Sequence, residues 1–377
     1  LQYAIDPNGR YIPVPARFPS AVAAGAPADT ASFKALGDWV HSQGLKFGIH
    51  IVRGIPRVSV AANLPIAGST FHAADAADTT DACPWDPTNW GVKDNPGGQA
   101  WYDSLLAQYA SWRIDLLKVD CIANNPYKLG EIQMIRRAID KAAAKTGRPI
   151  VLSLSPGPTS LAHADEVVKY ANMWRISNDV WDYWTNPKPF PQSLSSQFAL
   201  LAAWAPYAGP GHWPDADMLP LGELRPVPGE GSSRTTRLTP TEQQTMLTLW
   251  SIARSPLILG ANLTLLDPPT LKLLTNRDLI AIDQTATSSG QVLHEGNVIA
   301  WLAQLSPKFP GGYTQALALF NTGDSPVVIN SAFSAYGLTG SAYHARDVWA
   351  GKNLGKLKAV DTITLEPHAS TLLLLHK

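Results

Sequence analysis

The sequence predicts an α/β domain built on a parallel sheet, followed by an all-β domain. Up to about residue 290, six apolar runs of strand length alternate with segments of helical periodicity. Buried parallel strands have this apolar character because helices cover both faces of their sheet. Beyond that point, short apolar runs are separated by Gly, Asp and Pro turns, as in antiparallel sheets. We therefore expect the α/β domain at residues 1–290 and the β domain at 291–377.

The candidate strands are short, apolar and rich in β-branched residues. In chain order they are 45–52, 116–121, 149–155, 172–177, 212–219 and 256–263. Helical segments precede three of them, at 98–112, 131–145 and 239–254. The last segment begins with Thr239 and Glu242 in the spacing of a capping box, with Pro240 at the first helical position. A further helix is expected within 29–44, with Asp29 as its N-terminal cap and Gly44 after its end.

The composition excludes several classes of protein. The 377 residues are 45% hydrophobic and 16% charged, which is typical of a chain that buries a large core. Thirty Lys and Arg balance thirty Asp and Glu, and no basic cluster alternates with aromatic residues. We therefore expect no nucleic-acid partner and an uncharged substrate. No apolar run reaches the length of a membrane helix, so no membrane partner is expected either.

Polar side chains occur at the carboxyl ends of the candidate strands. They are His50, Lys118 with Asp120, Ser153 with Ser155, Arg175 with Asp179 just beyond, and Asp215 with Asp217. A parallel barrel and a doubly wound sheet both place their site at the carboxyl ends of the strands. The sequence therefore predicts that these groups converge on one site.

Lys118 and Asp120 are two residues apart on one strand, so their side chains point to the same face. Such a pair is compatible with a buried salt bridge, with a Schiff-base lysine, or with an aspartate nucleophile that the lysine keeps ionised. The last interpretation needs a second carboxylate, and Asp179 supplies one four residues after Arg175. Retaining glycoside hydrolysis uses two carboxylates in this way, one as nucleophile and one as acid and base.

At these residues, and along nearly the whole chain, the sequence resembles glycoside hydrolase family 27, the α-galactosidase and α-N-acetylgalactosaminidase family. The resemblance is carried by GRYIPVPARFPS, VHSQGLKFGIH, DLLKVDC, WRISND, GHWPDADMLPLG, WSIARSPLILGANL, ALALFNTGD, ARDVWAGKNLG and LEPHAS. It implies a (β/α)8 TIM barrel followed by a C-terminal antiparallel β-sandwich. It also implies an exo-acting enzyme that removes terminal α-galactosyl residues from an oligosaccharide or glycoconjugate.

The resemblance also implies a role for each predicted site residue. Asp120 is expected to be the nucleophile and Lys118 a ligand of a sugar hydroxyl. Asp179 is expected to be the acid and base, and Arg175 a substrate ligand. His50 stands where the family usually has a substrate-contacting Tyr. A retaining mechanism places the two carboxylates roughly 5 to 7 Å apart.

Ser155 stands where the α-galactosidases of the family usually carry a Glu. A small residue there resembles the α-N-acetylgalactosaminidase branch, in which it leaves room for a 2-acetamido group. An α-N-acetylgalactosaminyl substrate is therefore the alternative to an α-galactosyl one. A second alternative is an inactive or sugar-binding barrel fragment.

Members of the family begin with two barrel strands whose motifs do not occur in this sequence. The segment DPNGRYIPVPARFPS is expected to be the loop that follows the second of those strands. We therefore expect an incomplete barrel with a gap between the strands at 45–52 and 256–263. Such a barrel exposes apolar surface and hydrolyses sugar weakly.

Further residues have both a functional and a structural interpretation. Asp215 and Asp217 are expected to be either sugar ligands or a turn held by backbone amides. Three tryptophans are either sugar platforms or packed side chains, and two arginines either surround the site or are solvated loop charges. These are Trp85, Trp181 and Trp184, and Arg53 and Arg57.

The two cysteines, Cys83 and Cys121, are expected to be free thiols. Related secreted enzymes often link this loop to the fourth strand, but their second cysteine usually comes two residues after the nucleophile, whereas Cys121 comes one residue after it. An offset of one residue on a strand reverses the direction of the side chain. Histidines and acidic residues show no metal-ligand spacing, so no cofactor is expected. The sequence does not decide the cellular location, although a secreted or periplasmic one is favoured. The oligomeric state is not predicted.

Overall fold

The computed structural model describes residues 3–225 and 231–377. The chain divides into two compact units, Leu1–Trp174 and Arg175–Lys377. The predicted domain boundary near residue 290 lies inside the second unit and stays a prediction.

The first unit contains one parallel sheet with its helices, and several short antiparallel strands. The strands are β1 (Ala4–Ile5), β2 (Tyr11–Ile12), β3 (Gly48–Val52), β4 (Ile55–Pro56), β5 (Ala77–Asp78), β6 (Asn89–Val92), β7 (Leu116–Asp120), β8 (Val151–Leu154) and β9 (Met173–Arg175). The helices are α1 (Lys34–Ser42), α2 (Arg57–Ala61), α3 (Ala73–Ala76), α4 (Pro96–Ser111), α5 (Leu129–Thr146) and α6 (Ala164–Tyr170). Short 3-10 turns lie at Pro19–Ala21, Ala28–Thr30 and Leu161–His163.

The parallel sheet of the first unit contains β3, β7, β8 and β9 in that order. In β7, Leu117 and Val119 are buried, whereas Lys118 and Asp120 are half-buried. This alternation turns the two polar side chains to one face of the sheet, as the spacing predicts.

β3 is the terminal strand of these four. Its Ile49 and Ile51 are only half-buried. A cavity of about 370 Å³ adjoins them, and Tyr11, Phe33 and Trp112 are among the residues that line it. Apolar side chains therefore remain accessible along this strand.

Five of the six predicted strands are present, each shorter than predicted: β3, β7, β8, β9 and β10 (Trp213–Asp215). The sixth prediction is wrong, because residues 256–263 form no strand and make only a single parallel bridge, Leu219 with Leu259. The segment begins with Pro256, which has no N–H to donate to a ladder. The gap predicted beside this segment stays a prediction.

The three long predicted helices are confirmed as α4, α5 and α8 (Pro240–Ala253). The capping box is present, since Thr239 Oγ1 accepts from the Glu242 amide at 3.2 Å and a Glu242 carboxylate oxygen accepts from the Thr239 amide at 2.8 Å. The cap predicted at Asp29 is wrong. Asp29 lies in a separate 3-10 turn, and the extended backbone of Ala31 interrupts the helical path before α1 begins at Lys34. Gly44 follows the helix with a positive φ of 73°, as predicted.

The second unit contains the remaining helices and an antiparallel β-sandwich. The helices are α7 (Leu194–Trp204), α8, α9 (Pro268–Leu274) and α10 (Arg277–Thr285), and further 3-10 turns lie at Ala205–Tyr207, Leu263–Leu265, Pro310–Gly312 and Phe333–Tyr336. The strands are β10, β11 (Glu223–Leu224), β12 (Arg234–Thr235), β13 (Ala286–Glu295), β14 (Val298–Leu305), β15 (Gln315–Asn321), β16 (Val327–Ala332), β17 (Tyr343–Asp347), β18 (Lys352–Leu357), β19 (Ala359–Leu365) and β20 (Ser370–His376).

The sandwich joins a six-stranded sheet in the order β13-β14-β15-β20-β17-β18 to the pair β16-β19. Leu317 and Leu319 of the large sheet share one buried cluster with Ile329 and Val360 of the small one. This shared core holds the two sheets face to face. Among the described residues, every helix is too short or too polar to cross a membrane.

Candidate functional site

The first unit holds four of the predicted site residues near the carboxyl ends of β3, β7 and β8. In the parallel register His50 lies beside Lys118, and Lys118 lies beside Ser153. Asp120 is the last residue of β7 and lies beside Val52. The structure therefore brings His50, Lys118 and Asp120 to one edge of the sheet, while their roles stay predictions.

Lys118 and Asp120 share a face but do not form an ion pair within the described part of the chain. Both are only half-buried. The interpretation of this pair as a buried salt bridge is therefore wrong. A cation that is not neutralised by its neighbour remains able to bind a ligand oxygen.

The Asp120 carboxylate receives a hydrogen bond from Trp85. The indole Nε1 lies 3.2 Å from Asp120 Oδ2. The side chain of Trp85 is 47% exposed, so it is not packed into the core. Trp85 is therefore not a core residue, whereas packing in the wall of the site and a role as a sugar platform both stay predictions.

Cys83 and Cys121 form a disulfide, so the expectation of two free thiols is wrong. That expectation assumed that Cys121 continues the alternation of β7. The strand ends at Asp120 instead, and Cys121 has a positive φ of 63°. Because the chain leaves the strand at this residue, the alternation rule no longer sets the direction of its side chain.

Arg53 is buried and links four parts of the first unit. Its Nε donates to the Cys121 carbonyl at 2.6 Å, and its guanidinium reaches Asp81 at 2.8 Å and Glu131 at 2.7 Å. Its backbone amide donates to the Asp120 carbonyl at 3.1 Å. The interpretation of Arg53 as a solvated loop charge is therefore wrong, because the side chain holds the backbone that follows Asp120.

The charges around Arg53 compensate one another. Burial alone lowers the pKa of Arg53, but Asp81 and Glu131 outweigh it and raise that pKa. Burial also raises the pKa of Glu131, which Arg53 opposes. For Asp81, Arg53 and Lys128 overcome burial and lower the pKa. The guanidinium is therefore held charged where it binds the Cys121 carbonyl.

Ser155 is buried at the end of β8. Its amide donates to the Val119 carbonyl at 2.9 Å, and its carbonyl accepts from the Ile122 amide at 3.0 Å. The backbone of Ser155 is thus fixed to the segment on both sides of Asp120. The small side chain is therefore held close to the strand end that carries the predicted nucleophile.

The second unit holds the other two predicted residues. Arg175 Nη2 lies 3.1 Å from Asp179 Oδ1, and Arg175 Nη1 lies 3.0 Å from Asp217 Oδ1. Arg175 is buried, whereas half of the Asp179 side chain is exposed. Burial alone lowers the pKa of Arg175, but Asp217, Asp215 and Asp179 outweigh it and raise that pKa. One buried cation is thus shared by two carboxylates.

Asp215 and Asp217 form the predicted turn. The Asp217 amide donates to Asp215 Oδ1 at 2.9 Å, and Asp217 Oδ2 accepts from the Val180 amide at 2.7 Å. Asp217 has a positive φ of 78°, which a turn with local hydrogen bonds stabilises. The structural interpretation is confirmed for this pair. Because Val180 follows Asp179 directly, the turn also fixes the backbone of the predicted acid and base.

The other candidate aromatic and arginine residues have structural contacts. Trp184 is buried and its ring stacks on His368 with centroids 4.0 Å apart, so it is packed as one interpretation predicts. Arg57 lies over the ring of Trp90 at 3.6 Å from its centroid. Arg234 lies 5.7 Å from the ring centroid of Trp181.

Sequence reasoning named Arg53 as a candidate near the site but missed its burial, and it also missed the hydrogen bond from Trp85 to Asp120. The signal for Arg53 was its place directly after an apolar strand and before the buried Gly-Ile-Pro segment. The signal for Trp85 was its place two residues after Cys83. Over residues 3–225 and 231–377, no group of three or more His, Cys, Asp or Glu side chains is arranged to hold a metal ion.

Two family models match the chain. The model described as Alpha galactosidase A matches residues 86–285, and the model of the Alpha galactosidase C-terminal beta sandwich domain matches residues 295–375. The TIM-barrel and β-sandwich fold class predicted from the sequence is thereby confirmed.

Curated relatives include α-galactosidases and an α-N-acetylgalactosaminidase. Alpha-galactosidase 2 of Arabidopsis thaliana is 28% identical, with 97% of this chain and 74% of the relative covered. Alpha-N-acetylgalactosaminidase of Gallus gallus is 27% identical, with 96% of this chain and 75% of the relative covered.

One similar solved structure is a β-L-arabinopyranosidase of Geobacillus stearothermophilus, a member of glycoside hydrolase family 27. The similarity covers all of this chain and 83% of the arabinopyranosidase chain. The TM-score is 0.90 and the identity is 42%. Alpha-galactosidase I from Mortierella vinacea has a TM-score of 0.67 at 23% identity, with 92% of this chain and 80% of that chain covered, and it supports the fold alone.

Proposed function

The chain belongs to glycoside hydrolase family 27, and from this premise we propose that it is a retaining exo-glycosidase for terminal pyranosides with the ring configuration of galactose. That it is a glycosidase follows from its family. The retaining mechanism and the sugar are proposals. The observation that supports them most is the pair of aspartates, one at the end of β7 and one four residues after β9, each with a different partner: Asp120 with Trp85, and Asp179 with Arg175.

The proposed mechanism is a double displacement. Asp120 attacks the anomeric carbon while Asp179 protonates the glycosidic oxygen, so the aglycone leaves as an alcohol and a glycosyl-Asp120 ester forms. Asp179 then removes a proton from water, which attacks the same carbon and releases Asp120 as a carboxylate. Lys118 and Arg175 are proposed to bind sugar hydroxyls, as the resemblance to the family implies, through the N–H donors of their charged side chains.

Two sugars fit this proposal. A β-L-arabinopyranoside has the same ring configuration as an α-D-galactopyranoside and lacks only its exocyclic hydroxymethyl group. The sequence interpretation favours α-galactosides, as do the curated relatives. The identity of 42% with an arabinopyranosidase favours the pentoside as the better substrate. We therefore propose that the enzyme hydrolyses both, β-L-arabinopyranosides faster.

A third sugar has one observation in its favour. Ser155 is small and buried beside the strand end of Asp120. A small residue leaves room for a 2-acetamido group. An α-N-acetylgalactosaminide is therefore the second candidate substrate.

The test compares nitrophenyl β-L-arabinopyranoside, nitrophenyl α-D-galactopyranoside and its 2-acetamido analogue. Hydrolysis of the first two, with the acetamido sugar slowest, is expected. Hydrolysis of the acetamido sugar alone would support the second candidate, and hydrolysis of none would support an inactive or sugar-binding protein. Proton NMR of the first product formed should show the anomer of the substrate, and the opposite anomer would contradict double displacement.

A further inference from the structure

Trp85 is a large aromatic side chain that touches the predicted nucleophile. Its indole N–H donates to Asp120 Oδ2 at 3.2 Å. Among the side-chain hydrogen bonds of the described residues, this is the one that reaches the Asp120 carboxylate. Hydrogen bonds to an ionised acceptor are about twice as strong as those between neutral groups.

The loop that carries Trp85 is fixed close to this tryptophan. The disulfide joins Cys83, two residues before Trp85, to Cys121, the residue after Asp120. Within the loop, Asp86 forms an isolated bridge with Cys83, and its amide donates to the Cys83 carbonyl at 3.3 Å. Trp85 therefore lies at the tip of a tight turn that is covalently attached next to its own acceptor.

A second anchor lies on the other side of Cys83. Asp81 is bound by Arg53 at 2.8 Å and by Lys128 at 2.9 Å. Arg53 also donates to the Cys121 carbonyl at 2.6 Å. The same guanidinium thus holds the start of the loop and the backbone after Asp120, which leaves the indole little freedom to move relative to the carboxylate.

We propose that Trp85 is a catalytic residue whose indole N–H stabilises the Asp120 carboxylate when it leaves the glycosyl intermediate. This inference rests on the proposed function. In the covalent intermediate, one oxygen of Asp120 is bonded to the sugar and the other is the ester carbonyl oxygen. Attack of water breaks the bond between carbon and oxygen, and its electron pair returns to Asp120 as carboxylate charge.

Part of the returning charge falls on the oxygen that Trp85 contacts. A donor already aimed at that oxygen stabilises the transition state for breakdown more than it stabilises the neutral ester. The contact on Oδ2 also assigns Oδ1 as the attacking oxygen. Removal of the N–H should therefore slow the second step of the reaction selectively.

The test measures that second step directly. The wild-type enzyme and its variants are inactivated with a 5-fluoro glycosyl fluoride of the preferred sugar, the excess reagent is removed, and the return of activity is followed. Trp85→Phe keeps a ring but loses the donor, and its reactivation should be slower by about 10-fold or more. Steady-state kcat should fall together with KM, because the intermediate accumulates.

Two further variants separate hydrogen bonding from packing. Trp39→Phe alters an exposed tryptophan of α1 and should reactivate at the wild-type rate. Trp85→His keeps a donor, because histidine Nε2 and indole Nε1 are both two bonds from Cγ in their five-membered rings. This variant should therefore reactivate faster than Trp85→Phe. Thermal melting of all variants establishes that they are folded.

Three outcomes would overturn this inference. They are a Trp85→Phe variant that reactivates within about twofold of the wild type, an equal loss in Trp85→His and Trp85→Phe, and a loss in kcat/KM with no change in reactivation. A wild-type protein that hydrolyses no glycoside would overturn the proposed function itself, and so the two failures are distinguishable.

Discussion

The two aspartates that we assign to catalysis are held in opposite ways. Asp120 is half-buried at a strand end, receives an indole N–H, and has no ion pair within the described residues. Asp179 is half exposed and pairs with the buried guanidinium of Arg175, which also binds Asp217. One carboxylate thus accepts a hydrogen bond from a neutral indole, and the other pairs with a guanidinium that a second carboxylate shares.

This difference matches what each role requires. A nucleophile must be ionised when it attacks and again when it leaves the ester, and a fixed donor supports its charge without blocking its second oxygen. An acid and base must gain and lose a proton in every turnover, so contact with solvent and a partly compensated cation suit it. The contrast teaches that the roles of nucleophile and of acid and base can be assigned from the contacts of each carboxylate as well as from the sequence motifs.

The largest effect is expected for Asp120→Asn, because the amide cannot form the glycosyl ester. Activity should fall by about 10⁴-fold or more for every substrate, whatever its leaving group. Steady-state kinetics with nitrophenyl and alkyl glycosides measure this. Binding of the free sugar, followed by calorimetry, should persist, and a variant with near-normal kcat would contradict the assignment.

Asp179→Ala should slow the hydrolysis of some aglycones more than others, whereas Asp120→Asn should slow all of them. An alkyl aglycone needs protonation to leave, so its hydrolysis should fall by about 10²- to 10⁴-fold, whereas a nitrophenyl aglycone leaves without help and its first step should change far less. Azide should restore turnover and give a glycosyl azide with the anomeric configuration of the substrate. An equal loss for both aglycones would remove Asp179 from this role.

Asp217→Asn tests the shared cation. With Asp217 neutral, Arg175 loses one of its two ion pairs and keeps the pair with Asp179. Asp217 also accepts from the Val180 amide, so the variant should weaken the support of the backbone next to Asp179, and kcat/KM for an alkyl glycoside should fall about 10-fold. Asp324→Asn, which changes an exposed acid of the same unit, is the matched control and should leave kcat/KM unchanged. An unchanged kcat/KM in Asp217→Asn would show that the charge of this residue does not support the reaction.

The smallest effect is expected at Ser155, which changes the choice of sugar and not the chemistry. Ser155→Glu should occupy the space for a 2-substituent and shift the ratio of kcat/KM values toward the sugar with a plain 2-hydroxyl by about 10-fold or more. Ser155→Ala keeps a small side chain and should leave the ratio nearly unchanged. A constant ratio in Ser155→Glu would mean that this residue does not line the sugar pocket.

Patterns within single elements could be predicted from the sequence. The alternation in Leu-Leu-Lys-Val-Asp predicts β7 and the common face of Lys118 and Asp120, since burial of Leu117 and Val119 is a local consequence of strand geometry. The capping box of α8 is local in the same way. The arginine and aspartate four residues apart are likewise joined in the structure.

Features that depend on distant segments could not be predicted in this way. Cys121 leaves the strand one residue earlier than predicted, because its backbone turns there with a positive φ of 63°. Arg53 is buried because Asp81 and Glu131, far along the chain, compensate its charge. The segment 256–263 has strand composition but forms a single bridge. In each case a tertiary contact outweighs the local pattern.

The disulfide has a consequence for how the protein is prepared. Because it attaches the turn of Trp85 beside Asp120, folding in a reducing cytosol would yield a chain in which Cys83 is released and the indole is free to leave the carboxylate. Two batches of equal purity and equal secondary structure would then differ in specific activity according to whether the thiols had been oxidised. Titration of free thiols with a chromogenic reagent would show which batch contains the competent enzyme.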